Sequence, residues 1–349
     1  MKKLLTTVAV GAALAALGGV GSAAAQSRDY VWAAGSSTVF PFATRAAENF
    51  ARKTGKKAPK IESLGTGGGI KLFCSGTGAG FPDIANASRR MKKAEFDQCA
   101  AKGVKDIIEL KIGYDGIVVA TDKDGADYNF KLEHFYFGLA KTVLRGGKFV
   151  ANPYDTWDAV GSGLPGNRIV VYGPPPTSGT RDAFVELAME AGARKFPTLD
   201  EIRSNNEKRF KALAGTMRED GRWIDAGEND NAIVQTLTRT PGAIGVFGFS
   251  FLEENEDKVK AAAVNGVRPT AATIANGSYP LSRSLYIYVK KANVGVTPGL
   301  EEFVNEFLSE AAAGRGGYLQ SRGLIPLGGA LAGQRTVFTE RKAMARPAS

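Results

Sequence analysis

Three short clusters of Ser, Thr and Gly punctuate this chain, each placed between an apolar run and an amphipathic one. They are Gly35-Ser36-Ser37-Thr38, Gly65-Thr66-Gly67-Gly68-Gly69 and Thr177-Ser178-Gly179-Thr180-Arg181. Before them stand short apolar stretches, Tyr30 to Ala34, Lys60 to Leu64 and Ile169 to Tyr172, which read as strands. After them apolar residues recur at helical spacing. Val39, Phe42, Ala46 and Phe50 follow the first, with Pro41 tolerated in the opening turn. Ile70 and Phe73 follow the second, and Asp182 to Glu190 carries Phe184, Leu187 and Ala188 after the third. Strand, cluster and helix in that order, three times, predict an α/β protein with ligand groups at the carboxyl ends of strands. Further strands are expected at Asp83 to Ala87 and around Gly113-Tyr114-Asp115-Gly116 within Ile107 to Ala120, with a helix from Ala94 to Gly103. From Phe135 onward the pattern reads as another domain.

A helix N-terminus carries unpaired N–H groups and the positive end of the helix dipole. Three such starts converging would cage an oxyanion, using neutral donors that hold the anion without attacking it. Taken singly, each cluster is also an ordinary cap or turn. Neither GxxxxGK[ST] nor GxGxxG is completed at any of them, so nucleotide-binding loops are excluded.

The first 25 residues read as a secretory leader. Lys2 and Lys3 precede an apolar stretch from Leu4 to Val20, and Ala23-Ala24-Ala25 offers a cleavage site before Gln26. A membrane anchor is the weaker alternative, because the run is short and Gly-rich beside the ~20 residues a span needs. No later stretch suits a span, so the mature chain is expected to be exported, soluble and periplasmic. Export gives meaning to Cys74 and Cys99, the only two cysteines, which are expected to form a disulfide. A metal site at this pair would lack partners, since His134 is the only histidine. The net charge is +10 for the 349-residue chain, about +8 without the two leader lysines. The basic residues are scattered among acids, with no interleaved aromatics, which argues against nucleic acid and for a small anion.

A wider series stands in fixed order along the chain. It runs Gly35-Ser36-Ser37-Thr38-Val39, Asp83-Ile84-Ala85-Asn86-Ala87-Ser88-Arg89, Tyr114-Asp115-Gly116 and Ser178-Gly179-Thr180-Arg181. Pro241-Gly242-Ala243-Ile244-Gly245 and Tyr279-Pro280-Leu281-Ser282-Arg283 complete it. The series resembles the periplasmic phosphate-binding proteins that feed the phosphate-specific ABC transporter. The resemblance implies a two-lobed α/β fold, each lobe a mixed sheet flanked by helices, with the ligand in the cleft between them. Residues 26–116 plus 284–349 would form one lobe and residues 117–283 the other. Inorganic phosphate and the subunits of an ABC permease would be its partners, the protein would be a monomer, and no cofactor or metal would be needed.

By the same resemblance, Ser37 and Thr38 with their neighbour Ser36 meet the anion, as do Thr66 and Ser88 on the same lobe. Ser178, Gly179 and Thr180 would wrap its opposite side. Two departures stand out. Many members carry Asp where this chain has Arg89, and an Arg shortly before the third cluster, where this chain has Tyr172-Gly173-Pro174-Pro175-Pro176. The cation is therefore expected from Arg181 or Arg89, and the proton acceptor from Asp115, which reads equally as a turn residue before Gly116. Two other readings remain open. One is a carrier of another tetrahedral oxyanion, such as sulfate or molybdate. The other is a secreted phosphatase, disfavoured because His134 lies far from every cluster and GxSxG is absent.

Overall fold

The computed structural model describes residues 28–348 except Thr177 and Glu228, so the expected leader lies outside the described residues. The strands are β1 (Trp32–Gly35), β2 (Lys60–Ser63), β3 (Ile84–Ala87), β4 (Ile107–Asp122), β5 (Asn129–Phe130), β6 (Thr142–Arg145) and β7 (Lys148–Ala151). They continue with β8 (Val171–Gly173), β9 (Trp223–Asp225), β10 (Ile244–Gly248), β11 (Val259–Ala261), β12 (Ala263–Val264) and β13 (Ser282–Lys290). Eight of them run in the order β2-β1-β3-β13-β4-β10-β8-β9, and β11 also pairs with β4. At one end β1 is parallel to β2 and β3, and at the other β8 is parallel to β9 and β10. Between them β4 runs antiparallel to β13 and to β10.

β4 joins the two halves. Residues 107–116 pair with β13, and residues 117–120 continue unbroken onto β10. At roughly 3.3 Å per residue this strand spans about 50 Å. The sequence suggests separate strands about Gly113 and Gly116, but these glycines are packing slots. A Cβ at Gly113 would meet Leu324 Cδ1 at 2.6 Å, and one at Gly116 would meet Ile274 Cδ1 at 2.6 Å.

Two bodies of apolar side chains flank this strand. Ile117 to Leu281 build one core together with Ile325, around Phe130, Phe135, Trp157 and Phe184. The other draws on residues from Val31 to Ile112 and from Leu285 to Phe338. Strand alternation splits the second body into two faces. Ile84 and Ile287 face the helix Phe40–Thr54, whereas Ala85, Ala87, Tyr286 and Tyr288 face the helices at Gly65–Phe73 and Lys93–Ala101. Those two helices are tied by the Cys74–Cys99 disulfide, both of whose residues are fully buried.

The first helix follows its sequence signals, with Pro41 in the opening turn and Gly55 ending it at φ 69° while donating to Ala51 O. The third departs from expectation. It is α-helical only over Gly179–Phe184 and becomes a π-helix over Val185–Glu190. The wider turn buries the adjacent Ala188 and Met189, while Glu186 and Glu190 line the cleft.

Candidate functional site

The first and third clusters meet face to face. Ser36 is buried at the end of β1, where its N–H donates to Asn86 O at 2.9 Å and its Oγ accepts from Val39 N–H at 3.3 Å. Ser36 thus ties the turn that leads into the helix Phe40–Thr54, and Ser37 and Thr38 beside it face both cavities of the cleft. Across the gap Ser178 caps the helix Gly179–Phe184, its Oγ accepting from Thr180 N–H at 3.2 Å. Thr38 Oγ1 reaches Gly179 O at 3.5 Å. Only glycine fits there, because a Cβ at Gly179 would lie 2.7 Å from Ser37 O and 2.9 Å from Thr38 Cα.

Two cavities adjoin at this contact, and Ser37 and Thr38 line both. One, of about 640 Å³, is lined by Ser37, Thr38, Asp115, Ser178, Gly179 and Thr180 among others. The other, of about 720 Å³, is lined by Ser36 to Thr38, Thr66, Ser88, Arg89, Glu186 and Arg283 among others. In the second cavity Thr66 Oγ1 accepts from Ser88 N–H at 3.1 Å and lies 3.1 Å from Ser88 Oγ. Thr66 reaches Ser88 because the helix Gly65–Phe73 lies against β1. A Cβ at Gly69 would stand 2.2 Å from Gly35 Cα.

The charged residues sort differently from the sequence expectation. Arg89 lines the cleft, but its guanidinium holds Glu95 through two bonds of 2.7 and 2.9 Å. That pairing keeps the Arg89 proton bound more tightly than usual. Arg181 lines neither cavity. It bonds Asp225 at 2.7 Å and Pro174 O at 3.1 Å, and lies over the Trp223 ring at 4.6 Å, beside a separate surface groove. Asp115 is buried within β4 and accepts from Arg283 Nε at 3.3 Å through Oδ2. Burial pushes its carboxyl above the usual range, against the nearby Arg283 charge.

Sequence reading missed Arg283 as a site residue, assigning it only to the crossing between lobes. Its guanidinium bonds Asp115, Thr38 Oγ1 and, at 2.8 Å, Glu186. The available signal was an arginine in the ordered series, but its pairing with Asp115 depends on the β4–β13 register, in which the two face each other. His134 is absent from both cavities. Its Nδ1 accepts from Lys131 N–H at 3.1 Å at the start of the helix Leu132–Leu139, and burial holds its pKa below the ordinary value.

Hydroxyls and helix N–H groups from two bodies, with one buried Arg–Asp pair at their junction, can hold and orient a small oxyanion. This is the build of a two-lobed solute-binding protein with its ligand in the inter-lobe cleft. A model of the PBP superfamily domain matches residues 20–311, and the chain belongs to that superfamily. It is 36% identical to Protein SphX of Synechococcus elongatus over 87% of this chain and 79% of that protein. It is 31% identical to phosphate-binding protein PstS of Staphylococcus saprophyticus, over 89% and 87% of the two chains. Among solved structures it resembles a possible phosphate binding protein from Planctomyces limnophilus. That match has a TM-score of 0.71 at 27% identity and covers 90% of this chain and 99% of that one.

Proposed function

We propose that this chain is a periplasmic binding protein that captures inorganic phosphate and delivers it to an ABC permease. The observation that carries this reading is the meeting of Thr38 with Gly179, which brings donor groups of both lobes to one place beside the buried Asp115. Ser37, Thr38, Thr66 and Ser88 would grip the anion from one lobe, and Ser178, Gly179 and Thr180 from the other. Ser36, whose Oγ accepts from Val39 N–H, would hold the turn that carries Ser37 and Thr38. The lobes would comprise residues 26–116 plus 284–349 and residues 117–283, a division supported by the two separate cores.

Asp115 would accept the proton of phosphate. Its only side-chain hydrogen bond among the described residues is the one from Arg283 to Oδ2, which leaves Oδ1 for the ligand. A carboxylate acceptor suits a protonated oxyanion and repels fully ionised sulfate. The protein would act as an exported monomer without enzymatic activity, its leader cut after Ala25, and the buried disulfide suits an oxidising compartment. Calorimetric titration of the mature chain with phosphate and with sulfate, from mildly acidic to mildly basic pH, tests the reading. Micromolar or tighter phosphate binding with weak sulfate binding is expected, at roughly 8 kcal/mol or more for phosphate. Equal affinity for sulfate would instead make the chain a general tetrahedral-oxyanion carrier.

A further inference from the structure

We infer that Arg283 is the cation that pairs with the bound anion, and that Glu186 occupies the same guanidinium edge when the anion is absent. This inference rests on the phosphate reading above and deepens it. It begins with the partners of each arginine near the cleft. Arg89 has two of its guanidinium nitrogens on Glu95, and Arg181 faces a different groove with Asp225. Lys92, Arg194, Arg203 and Lys211 also line the second cavity and Arg322 the first, but all five are exposed. Among the described residues Arg283 alone combines a buried guanidinium with a place between the lobes, its side chain only 8% exposed.

Its three nitrogens have distinct partners. Nε faces Asp115, whose side chain is 9% exposed, and Nη2 faces the buried Thr38 hydroxyl. These two contacts fix the plane of the guanidinium. Nη1 faces Glu186, whose side chain is 52% exposed and comes from the π-helical turn Val185–Glu190. A half-exposed carboxylate is weakly held and swings into water readily. Arg283, Glu186 and the hydroxyls of Thr38, Thr66 and Ser88 line one cavity, so an oxyanion held by those hydroxyls would share it with this edge. Arginine's planar fork suits such an exchange, because it can hold Asp115 in place and turn a second edge to the incoming anion. Asp115 is then a positioning residue for Arg283 as well as an acceptor. Glu186 neutralises the cation in the empty cleft and competes with the ligand for it.

The test is calorimetric titration of the full mature chain with inorganic phosphate. R283Q is expected to lose at least 100-fold in affinity, more than either R89Q or R181Q. R283K, which keeps the charge but lacks the fork, is expected to lose about tenfold. E186Q is expected to gain three- to tenfold, because the competing carboxylate is gone. R283Q binding phosphate within threefold of the unaltered protein overturns the assignment. If R283Q does not fold by circular dichroism, undiminished affinity in R283K overturns it instead. Unchanged or weaker binding in E186Q overturns the role of Glu186. Should the unaltered chain bind sulfate but not phosphate, the phosphate reading fails while the same variants, titrated with sulfate, still decide the role of Arg283.

Discussion

Replacing Gly179 by alanine separates binding from folding at one methyl group. Gly179 opens the helix Gly179–Phe184 without a left-handed φ, so alanine meets no backbone penalty there and the protein should keep its stability with the cleft open. In the closed cleft, however, the new Cβ would stand 2.7 Å from Ser37 O, and that neighbour is backbone with little freedom to yield. Restoring ordinary contact at 3.4 Å opens the gap by about 0.7 Å. Hydrogen bonds of about 2.8 Å to an anion gripped from both sides then stretch toward 3.5 Å, the edge of useful geometry. Hydrogen bonds to a charged partner are worth about 1.5–3 kcal/mol each. Weakening the set from one lobe should therefore cost about 3 kcal/mol, roughly a 100-fold loss of affinity. Titration calorimetry with phosphate, alongside thermal melting without ligand, measures both halves. If Gly179→Ala binds phosphate within threefold of the unaltered chain at equal stability, the lobes do not close at Ser37 and Thr38, and the reasoning fails.

Three other perturbations probe separate parts of the molecule. Asp115→Asn should weaken phosphate binding by tenfold or more and narrow the preference over sulfate; competition titrations showing an unchanged preference would return Asp115 to a structural role. Lys290 is buried, bonds Gly76 O at 2.6 Å, and has its pKa pushed down to about 8 by burial. Because the folded pKa is depressed, its contribution is present above the unfolded value near 10.5 and is lost as pH falls through about 8. Urea melts should thus show the unaltered protein gaining up to about 3 kcal/mol relative to Lys290→Met between those limits, and parallel curves would refute this. Cys74→Ser/Cys99→Ser removes a cross-link of separation 25 and should lower stability by about 3 kcal/mol in denaturant melts, with phosphate affinity little changed in the folded fraction.

The parts of the site legible in sequence are those set by neighbours along the chain. Ser178 caps its helix by accepting from an amide two residues ahead, and Ser36 accepts from an amide three residues away. Such bonds are available wherever the local backbone forms, so Ser/Thr/Gly clusters before amphipathic runs announce them. The disulfide was legible for another reason, since two cysteines in an exported chain have one pairing to make. The charges were not legible in this way. Arg89 finds Glu95 on the next helix, Arg181 finds Asp225 on β9, and Arg283 finds Asp115 across 168 positions of sequence. The pairings of Arg181 and Arg283 depend on the register and packing of distant elements, and that of Arg89 on how the following helix turns back toward it.

The same division applies to the fold. Periodicity alone determined an alternating α/β chain with donor clusters at strand ends, because side-chain spacing of two or of 3.6 is a local property. Tertiary structure decided that β4 runs unbroken past Gly113 and Gly116, since only the packed Leu324 and Ile274 reveal why glycine stands there. It also decided that the third helix widens into a π turn, which brings Glu186 to Arg283. Donors come from local backbone geometry and can be read along the chain. The partner of a buried cation is fixed by which strands lie side by side, so it appears only when the sheet is assembled.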